Sequence, residues 1–200
     1  NDLGLAYWVK GETAKAQALF EESLSIKREI YGEDGPDYAA SLINLAGTYR
    51  ESRYLAQSKV FYLEAIEILE YHKEDKPEEY TLALNFYGNL LLEGRDRNGA
   101  YQQLMRALEF AAPTLGNNHP AYASTLTNLG RVMTAAQQLS EAEKYLQQAA
   151  AIYQKSRSDQ SESYSDVLQL LGDLYRQQSD FGQAETNYRQ AATIRERFRG

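Results

Sequence analysis

The 200 residues contain no Cys, which excludes a disulfide framework, a thiolate nucleophile and a Cys-based metal site. The net charge of −7 lies entirely in residues 1–80, with 9 Lys+Arg against 16 Asp+Glu; residues 81–200 balance at 12 against 12. An acidic half lacks the basic stripe that general nucleic-acid binding needs. No apolar run approaches the roughly 18 residues of a membrane span, and no basic-then-apolar leader is visible. A cytoplasmic protein that binds neither membrane nor nucleic acid is the expectation.

The predicted elements come in helical pairs. Asn1 to Val9 reads as the end of a helix, and Thr13 to Tyr31 as its partner. Gly32-Glu33-Asp34-Gly35-Pro36 then breaks the helix, with Gly able to take a left-handed conformation and Pro suited to a first helical turn. In the next pair, Leu42-x-x-Leu45-Ala46-x-x-Tyr49 has the i, i+3, i+4, i+7 spacing of one apolar helical stripe. Ser58-x-x-x-Tyr62-x-x-Ala65-x-x-Ile68 repeats it on a second helix. The link between them, Glu51 to Tyr54, is short enough to force antiparallel neighbours. Lys73-Glu74-Asp75-Lys76-Pro77 ends this pair.

The third pair turns at Glu93-Gly94-Arg95-Asp96, where Gly94 is the expected turn glycine and Asp96 a candidate N-cap. Pro113 should end or kink its second helix. Asn118 or His119 is expected to cap the fourth pair, with Pro120 at its first helical position. A link from Ser156 to Ser161, without Gly or Pro, leads to the fifth pair, Glu162 to Phe198. The expected units are therefore 1–36, 37–76, 77–119, 120–161 and 162–200, within one array. The first is incomplete, and Gly200 falls where Gly32 and Gly116 fall, so a longer natural protein with exposed end faces is expected. Those faces would allow end-to-end self-association.

These pairs share one period. Small residues recur 42 apart at Gly4, Ala46, Gly88, Gly130 and Gly172. A second set is Ala16, Ser58, Ala100, Ala142 and Ala184, and a third Ser23, Ala65, Ala107, Ala149 and Ala191. Between the last two lies a large slot: Phe20, Tyr62, Leu104, Leu146 and Tyr188. Small residues let two helix backbones approach, and the large neighbour fills the remaining space. A fixed period of this length means stacked units, each burying its apolar face against its neighbours.

Leu45-Ala46-x-x-Tyr49 and Ser58-x-x-x-Tyr62-x-x-Ala65 resemble the tetratricopeptide repeat, whose skeleton is L-G-x2-Y followed by A-x3-F. Leu171-Gly172-x-x-Tyr175 and Ala184-x-x-x-Tyr188-x-x-Ala191 match it too. The unit here is eight residues longer than the usual ~34, or roughly two helical turns. That length, with Gly116-Asn117-Asn118-His119-Pro120 and Leu126-Thr127-Asn128-Leu129-Gly130, is similar to kinesin light chain and its bacterial relatives. The resemblance implies an all-α, right-handed superhelix of antiparallel helix pairs, a bacterial source, and a protein or peptide ligand held on a concave face lined by the first helices.

By that resemblance the concave face includes Asn44, Phe86 and Asn128, two residues before the small slot, together with Asp2 and Leu170. Just after the slot it includes Leu5, Gly47, Asn89, Arg131 and Asp173, and one turn further Trp8, Arg50, Leu92, Thr134 and Arg176. Asn85, beside Phe86, joins Asn89 as a substitute where the Asn row is interrupted. An Asn side chain both donates and accepts, so it can pair with an extended backbone of any sequence. Arg50, Arg131 and Arg176 would select charge. A carboxylate clamp of the chaperone-binding type needs Lys where this chain has Ile43, Asn85, Thr127 and Gln169, so a chaperone tail is not the expected partner. Tyr38, Tyr80, Tyr122 and Tyr164 recur in every unit and read as stacking residues, and the run Arg195, Arg197, Arg199 as a helix-end charge complement.

No H-E-x-x-H, G-x-S-x-G or phosphate-cradling Gly loop is present, and two isolated histidines do not make a metal site. The expectation is a binding scaffold without catalysis, metal or cofactor. Two alternatives come from other classes. Pro36-Asp37-Tyr38-Ala39-Ala40-Ser41-Leu42-Ile43-Asn44-Leu45 also resembles arrays that precede caspase-like CHAT domains, so the chain could regulate a larger effector. A structural oligomerisation spacer is the other.

Overall fold

The computed structural model describes residues 1–156 and 161–199. Among them are ten α-helices and no strand: α1 (Asp2–Val9), α2 (Thr13–Tyr31), α3 (Pro36–Glu51), α4 (Leu55–Tyr71), α5 (Pro77–Glu93), α6 (Arg97–Thr114), α7 (Pro120–Ala135), α8 (Leu139–Lys155), α9 (Glu162–Gln177) and α10 (Phe181–Arg199). They form two compact units, Asn1–Asp96 with α1 to α5 and Arg97–Gly200 with α6 to α10. Three-residue turns join α1 to α2, α3 to α4, α7 to α8 and α9 to α10, and each of these pairs packs antiparallel. Successive pairs then stack, α2 on α3 and α4 on α5 in the first unit, α6 on α7 and α8 on α9 in the second.

The small and large slots meet inside each hairpin. A Cβ added to Gly130 would lie 2.6 Å from Leu146 Cγ, one on Gly172 2.5 Å from Tyr188 Cε1, and one on Gly4 2.6 Å from Phe20 Cε1. These distances are shorter than carbon atoms tolerate, so the first helix lays bare backbone against the large residue of the second. In the α3–α4 hairpin the first helix has Ala46 instead, and Ser58 supplies the second small slot. The Ser58 hydroxyl donates to the Ala46 carbonyl at 2.8 Å, which turns the close approach into an interhelical hydrogen bond. Ala16, Ala65, Ala100, Ala107, Ala142 and Ala149 are fully buried.

The turns repeat as closely as the cores. In these four turns and at the end of α5, the backbone N–H of residue 12, 54, 96, 138 or 180 donates to the carbonyl of residue 7, 49, 91, 133 or 175 at 2.9 Å. This six-to-one bond closes a Schellman C-cap, whose geometry demands a left-handed residue one step earlier. That residue is Gly11 in the first turn, but Arg53, Arg95, Gln137 and Ser179 in the others, with φ between 62° and 66°. Gly94, expected to serve the α5 turn, has φ −74° and is an ordinary helix end. The left-handed position is Arg95, because the capping bond and not the glycine sets the place of the turn.

Other boundary signals act locally. His119 caps α7, its Nδ1 accepting from the Ala121 N–H at 3.2 Å, and Ser161 caps α9 by accepting from the Tyr164 N–H at 3.2 Å. Asp180, in the position Asp96 holds one pair of repeats earlier, accepts from the Gln183 N–H at 3.0 Å. Pro113 sits in the last turn of α6, which ends at Thr114 before left-handed Gly116 (φ 88°). Of the Ser156–Ser161 link, residues 157–160 lie outside the described residues, as does Gly200.

The recurring tyrosines face the repeats' own packing. Tyr38, Tyr80 and Tyr164 are buried and Tyr122 half-buried. The Tyr80 hydroxyl donates to Glu70 of α4, and the Gln154 amide of α8 donates to the Tyr164 oxygen. Burial pushes the Tyr80 hydroxyl up to about 12.

Two substitutions read the two halves of this account. Gly130→Ala drives a methyl into Leu146, and should lower stability by about 1–3 kcal/mol, the usual cost of overpacking. Gln137→Gly removes a left-handed side-chain-bearing residue and should raise stability by about 1 kcal/mol. Urea melts of both variants and the parent, followed by circular dichroism, give both signs; a neutral Gly130→Ala would mean that the hairpin is not set by this approach.

Candidate groove on the first helices

In the first unit, packing takes up much of the expected binding face. Trp8 of α1 lies over Gly47 of α3, where an added Cβ would be 2.3 Å from the indole Cη2. The same indole meets the Phe20 ring edge-on at 6.0 Å. Two positions assigned to the groove by their place in the repeat thus hold each other. Arg50 Nε lies 3.7 Å from Glu93 Oε1 of α5, with both side chains mostly covered, so its charge is met within the protein. Phe86 stacks on the buried Tyr62 ring, centroids 6.3 Å apart and planes 23° from parallel. Burial pushes the Tyr62 hydroxyl up to about 12, with nearby Arg50 pulling the other way.

The asparagines differ among themselves. Asn85 is 2% exposed, so its amide belongs to the packed interior of α5. Asn89 is half-buried on the same helix. Asn44 on α3 is half-buried and makes no hydrogen bond among the described residues, which leaves its donor and acceptor available.

The second unit holds an open groove of about 410 Å³ between α7 and α9. Asn128 and Arg131 line one wall, with Thr127 and Ser124 beside them. Ser163, Asp166, Gln169 and Leu170 of α9 form the other, and Tyr153 of α8 is the floor. Asn128 is 7% exposed, so it shows only an edge, while Arg131 is half-buried. Thr127 donates its hydroxyl to the Ala123 carbonyl at 2.9 Å and can therefore only accept from a guest. Tyr153 is 4% exposed, and burial raises its pKa, with a hydrogen bond to Ser163 opposing that rise.

Arg195 is not a helix-end complement. Its guanidinium reaches across from α10 to α9, with Nε on Ser165 Oγ at 3.3 Å and terminal nitrogens on Gln169 Oε1 at 3.4 Å and Asp166 Oδ1 at 3.0 Å. That tie orients two groove-wall side chains. As a solvent-exposed pair, Arg195 and Asp166 contribute at most about 1 kcal/mol.

The structure therefore brings Asn128 and Arg131 together with Leu170, Thr127 and Gln169. It places Asp173 and Arg176 further along α9, outside this groove's lining. Asp173 accepts the Tyr188 hydroxyl at 2.8 Å, and exposed Arg176 lies beside that same hydroxyl. Ser124, Tyr153, Ser163 and Asp166 were not anticipated. Their sister positions change character between repeats, Ala40, Leu82, Ser124 and Asp166 in one case and Lys27, Leu69, Ala111, Tyr153 and Arg195 in the other. That variation was the available signal, in the first case one turn before Leu170 and in the second on the second helices.

The sequence matches the family model "Tetratricopeptide repeat" over residues 1–70, 79–155 and 134–197. The chain belongs to the tetratricopeptide repeat family. Solved structures share its fold. BtubC (BKLC) from P. vanneervenii is 23% identical, with a TM-score of 0.78 over 99% of this chain and 79% of that one. A Podosopora anserina putative kinesin light chain with nearly identical TPR-like repeats (Q17M) is 20% identical, with a TM-score of 0.74 over 99% and 93%. A Rap protein complexed with Competence and Sporulation Factor is 19% identical, with a TM-score of 0.80 over 96% of this chain and 51% of that one. No curated protein sequence matches the chain. Family membership and these likenesses agree with the kinesin-light-chain-like, antiparallel helix-pair array expected from the repeats; identities this low establish fold alone.

No helix among the described residues is long and apolar enough to cross a membrane, and no group of three His, Cys, Asp or Glu is placed to hold a metal ion. His72 directs Nε2 at the Asp34 carbonyl, 2.9 Å away.

The two kinds of Asn should separate on truncation. Asn85→Ala empties a buried polar position and is expected to cost about 1–3 kcal/mol. Asn44→Ala should stay within about 0.5 kcal/mol, as an amide without a partner. Denaturant melts of the two variants decide the matter; equal losses would place Asn44 in the packing as well.

Proposed function

We propose that the chain is a protein-interaction scaffold that takes an extended or helical segment of a partner along its first helices. The observation that supports this most directly is the α7–α9 groove, in which hydroxyl, amide and guanidinium groups converge around one apolar residue, Leu170, and the Asp166 carboxylate is met by Arg195. Such a wall can pair with a guest backbone through Asn128 and select an acidic side chain through Arg131. Asn44 and the exposed edge of Phe86 offer further contacts on the first unit. Tetratricopeptide repeats are generally interaction modules, and one fold relative is complexed with Competence and Sporulation Factor. No catalytic, metal or cofactor role is proposed, and neither nucleic acid nor membrane is a proposed partner.

A second reading has one observation in its favour. The Rap chain is about twice the length of its matched part, so arrays of this fold occur within longer chains. Here the array would regulate a larger effector, of the CHAT type suggested by the Pro36–Leu45 wording, and its groove would hold a segment in cis.

Arg131→Ala, alone and with Asn128→Ala, tests the groove. In pull-downs from the source cell with the intact protein, the double variant should lose its bound partner by about tenfold or more, equivalent to about 1.4 kcal/mol. The helical melt of Arg131→Ala should stay near that of the parent. Retention of the partner by both variants, or loss of fold in step with binding, removes the assignment.

A further inference from the structure

The two units carry the same outer groove with opposite charge. In Asn1–Asp96 it measures about 550 Å³ and lies against the end of α4, floored by Ile68 and lined by Glu33, Asp34, Glu64 and Glu67, with His72 at its end. Tyr71 stands at its rim, 84% exposed. In Arg97–Gly200 it measures about 460 Å³ and lies against α10, floored by Ile194 and lined by Arg189, Gln190, Thr193 and Arg197. Three repeat lengths carry Glu64 onto Gln190, Glu67 onto Thr193, Ile68 onto Ile194 and Tyr71 onto Arg197. The apolar floor is kept, two carboxylates give way to neutral side chains, and a guanidinium stands where the first unit has Tyr71.

Among the described residues the acidic groove is neutralised from within only at Glu33. Glu33 pairs with Arg28, and Glu64 accepts the Tyr38 hydroxyl at 3.4 Å. The carboxylates of Asp34 and Glu67 make no hydrogen bond or ion pair among the described residues. Among the described residues the groove on α10 has no carboxylate in its lining, and Arg189, 79% exposed, has only a surface pair with Glu185. Whole-unit charges agree: residues 1–96 hold 10 Lys+Arg against 18 Asp+Glu, or −8, and residues 97–200 hold 11 against 10, or +1.

We infer that the acidic groove of one molecule docks the Arg189–Arg197 rim of α10 from a second copy of this chain. A guanidinium entering between Asp34 and Glu67 gains charge-assisted hydrogen bonds, and Tyr71 offers a ring face over which it can lie. The two surfaces differ, so the contact is heterologous, and each molecule keeps one surface of each kind for a further copy, in a ring or an open chain. It uses the outer surface and is independent of the α7–α9 groove.

Charge reversal tests this with the full chain, using sedimentation velocity at low and high salt. The parent should self-associate at low salt and weaken about tenfold when salt shortens the screening length to about 10 Å or less. Asp34→Lys with Glu67→Lys, and separately Arg189→Glu with Arg197→Glu, should each stay monomeric alone. An equimolar mixture of the two should associate again, because each reversed surface now meets its complement. Glu67→Gln and Arg197→Gln, which only remove charge, give the weaker form of the same result should a reversed variant fail to fold. A parent that stays monomeric at low salt overturns the inference. So does a folded mixture that fails to associate, or association that survives both reversals and so belongs to the exposed apolar residues Leu3 and Val9 of α1.

Discussion

Bare helix backbone lying against a large side chain is the contact from which this structure is built. Where Gly130 meets Leu146, or Gly172 meets Tyr188, no room is left for even a methyl group. The approach fixes how far apart the two helices of a hairpin sit, and with it which residues can reach the next hairpin. A buried Leu or Phe at this point contributes roughly 1.5–3 kcal/mol, but only while its neighbour stays small. The Schellman turn works with that contact: its five repeated bonds reverse the chain at the same place each time, so the slots come back into register.

Stacking also decides what remains for binding. Positions on the first helices are open to change because hairpin formation does not need them, yet some are recruited by neighbouring repeats. Gly47 receives Trp8, Arg50 is met by Glu93, and Phe86 lies on Tyr62. The first unit therefore keeps a face of aromatic edges and one available amide. The second keeps an open polar groove, its far wall oriented by Arg195 from outside. The same scaffold yields different chemistry because only the non-stacking positions differ.

The outer grooves follow that logic as well. Ile68 and Ile194 are held in place by the repeat and preserve the shape, whereas the residues around them change: Glu64 and Glu67 are replaced by Gln190 and Thr193, and Leu63 and Tyr71 by Arg189 and Arg197. A solenoid can thus vary charge without altering its skeleton, since each exposed position touches few others.

The amino-acid order alone determined the helix pairs, their period and most of their boundaries, because small and large slots, Pro at helix starts and capping residues act within a few residues of themselves. A cap at Asn118 or His119 was legible before Pro120, and the structure gives it to His119. Three features were decided only in the folded structure, the first by a local backbone bond and the other two by tertiary contacts. Left-handed Arg53, Arg95, Gln137 and Ser179 carry no local glycine signal, since a capping bond across the helix end holds them there. The loss of Trp8, Gly47 and Arg50 from the binding face came from contacts between helices far apart in the chain. So did the meeting of Tyr153 and Asp166 with Asn128 and Arg131, whose shared groove exists only once one hairpin has been laid against the next.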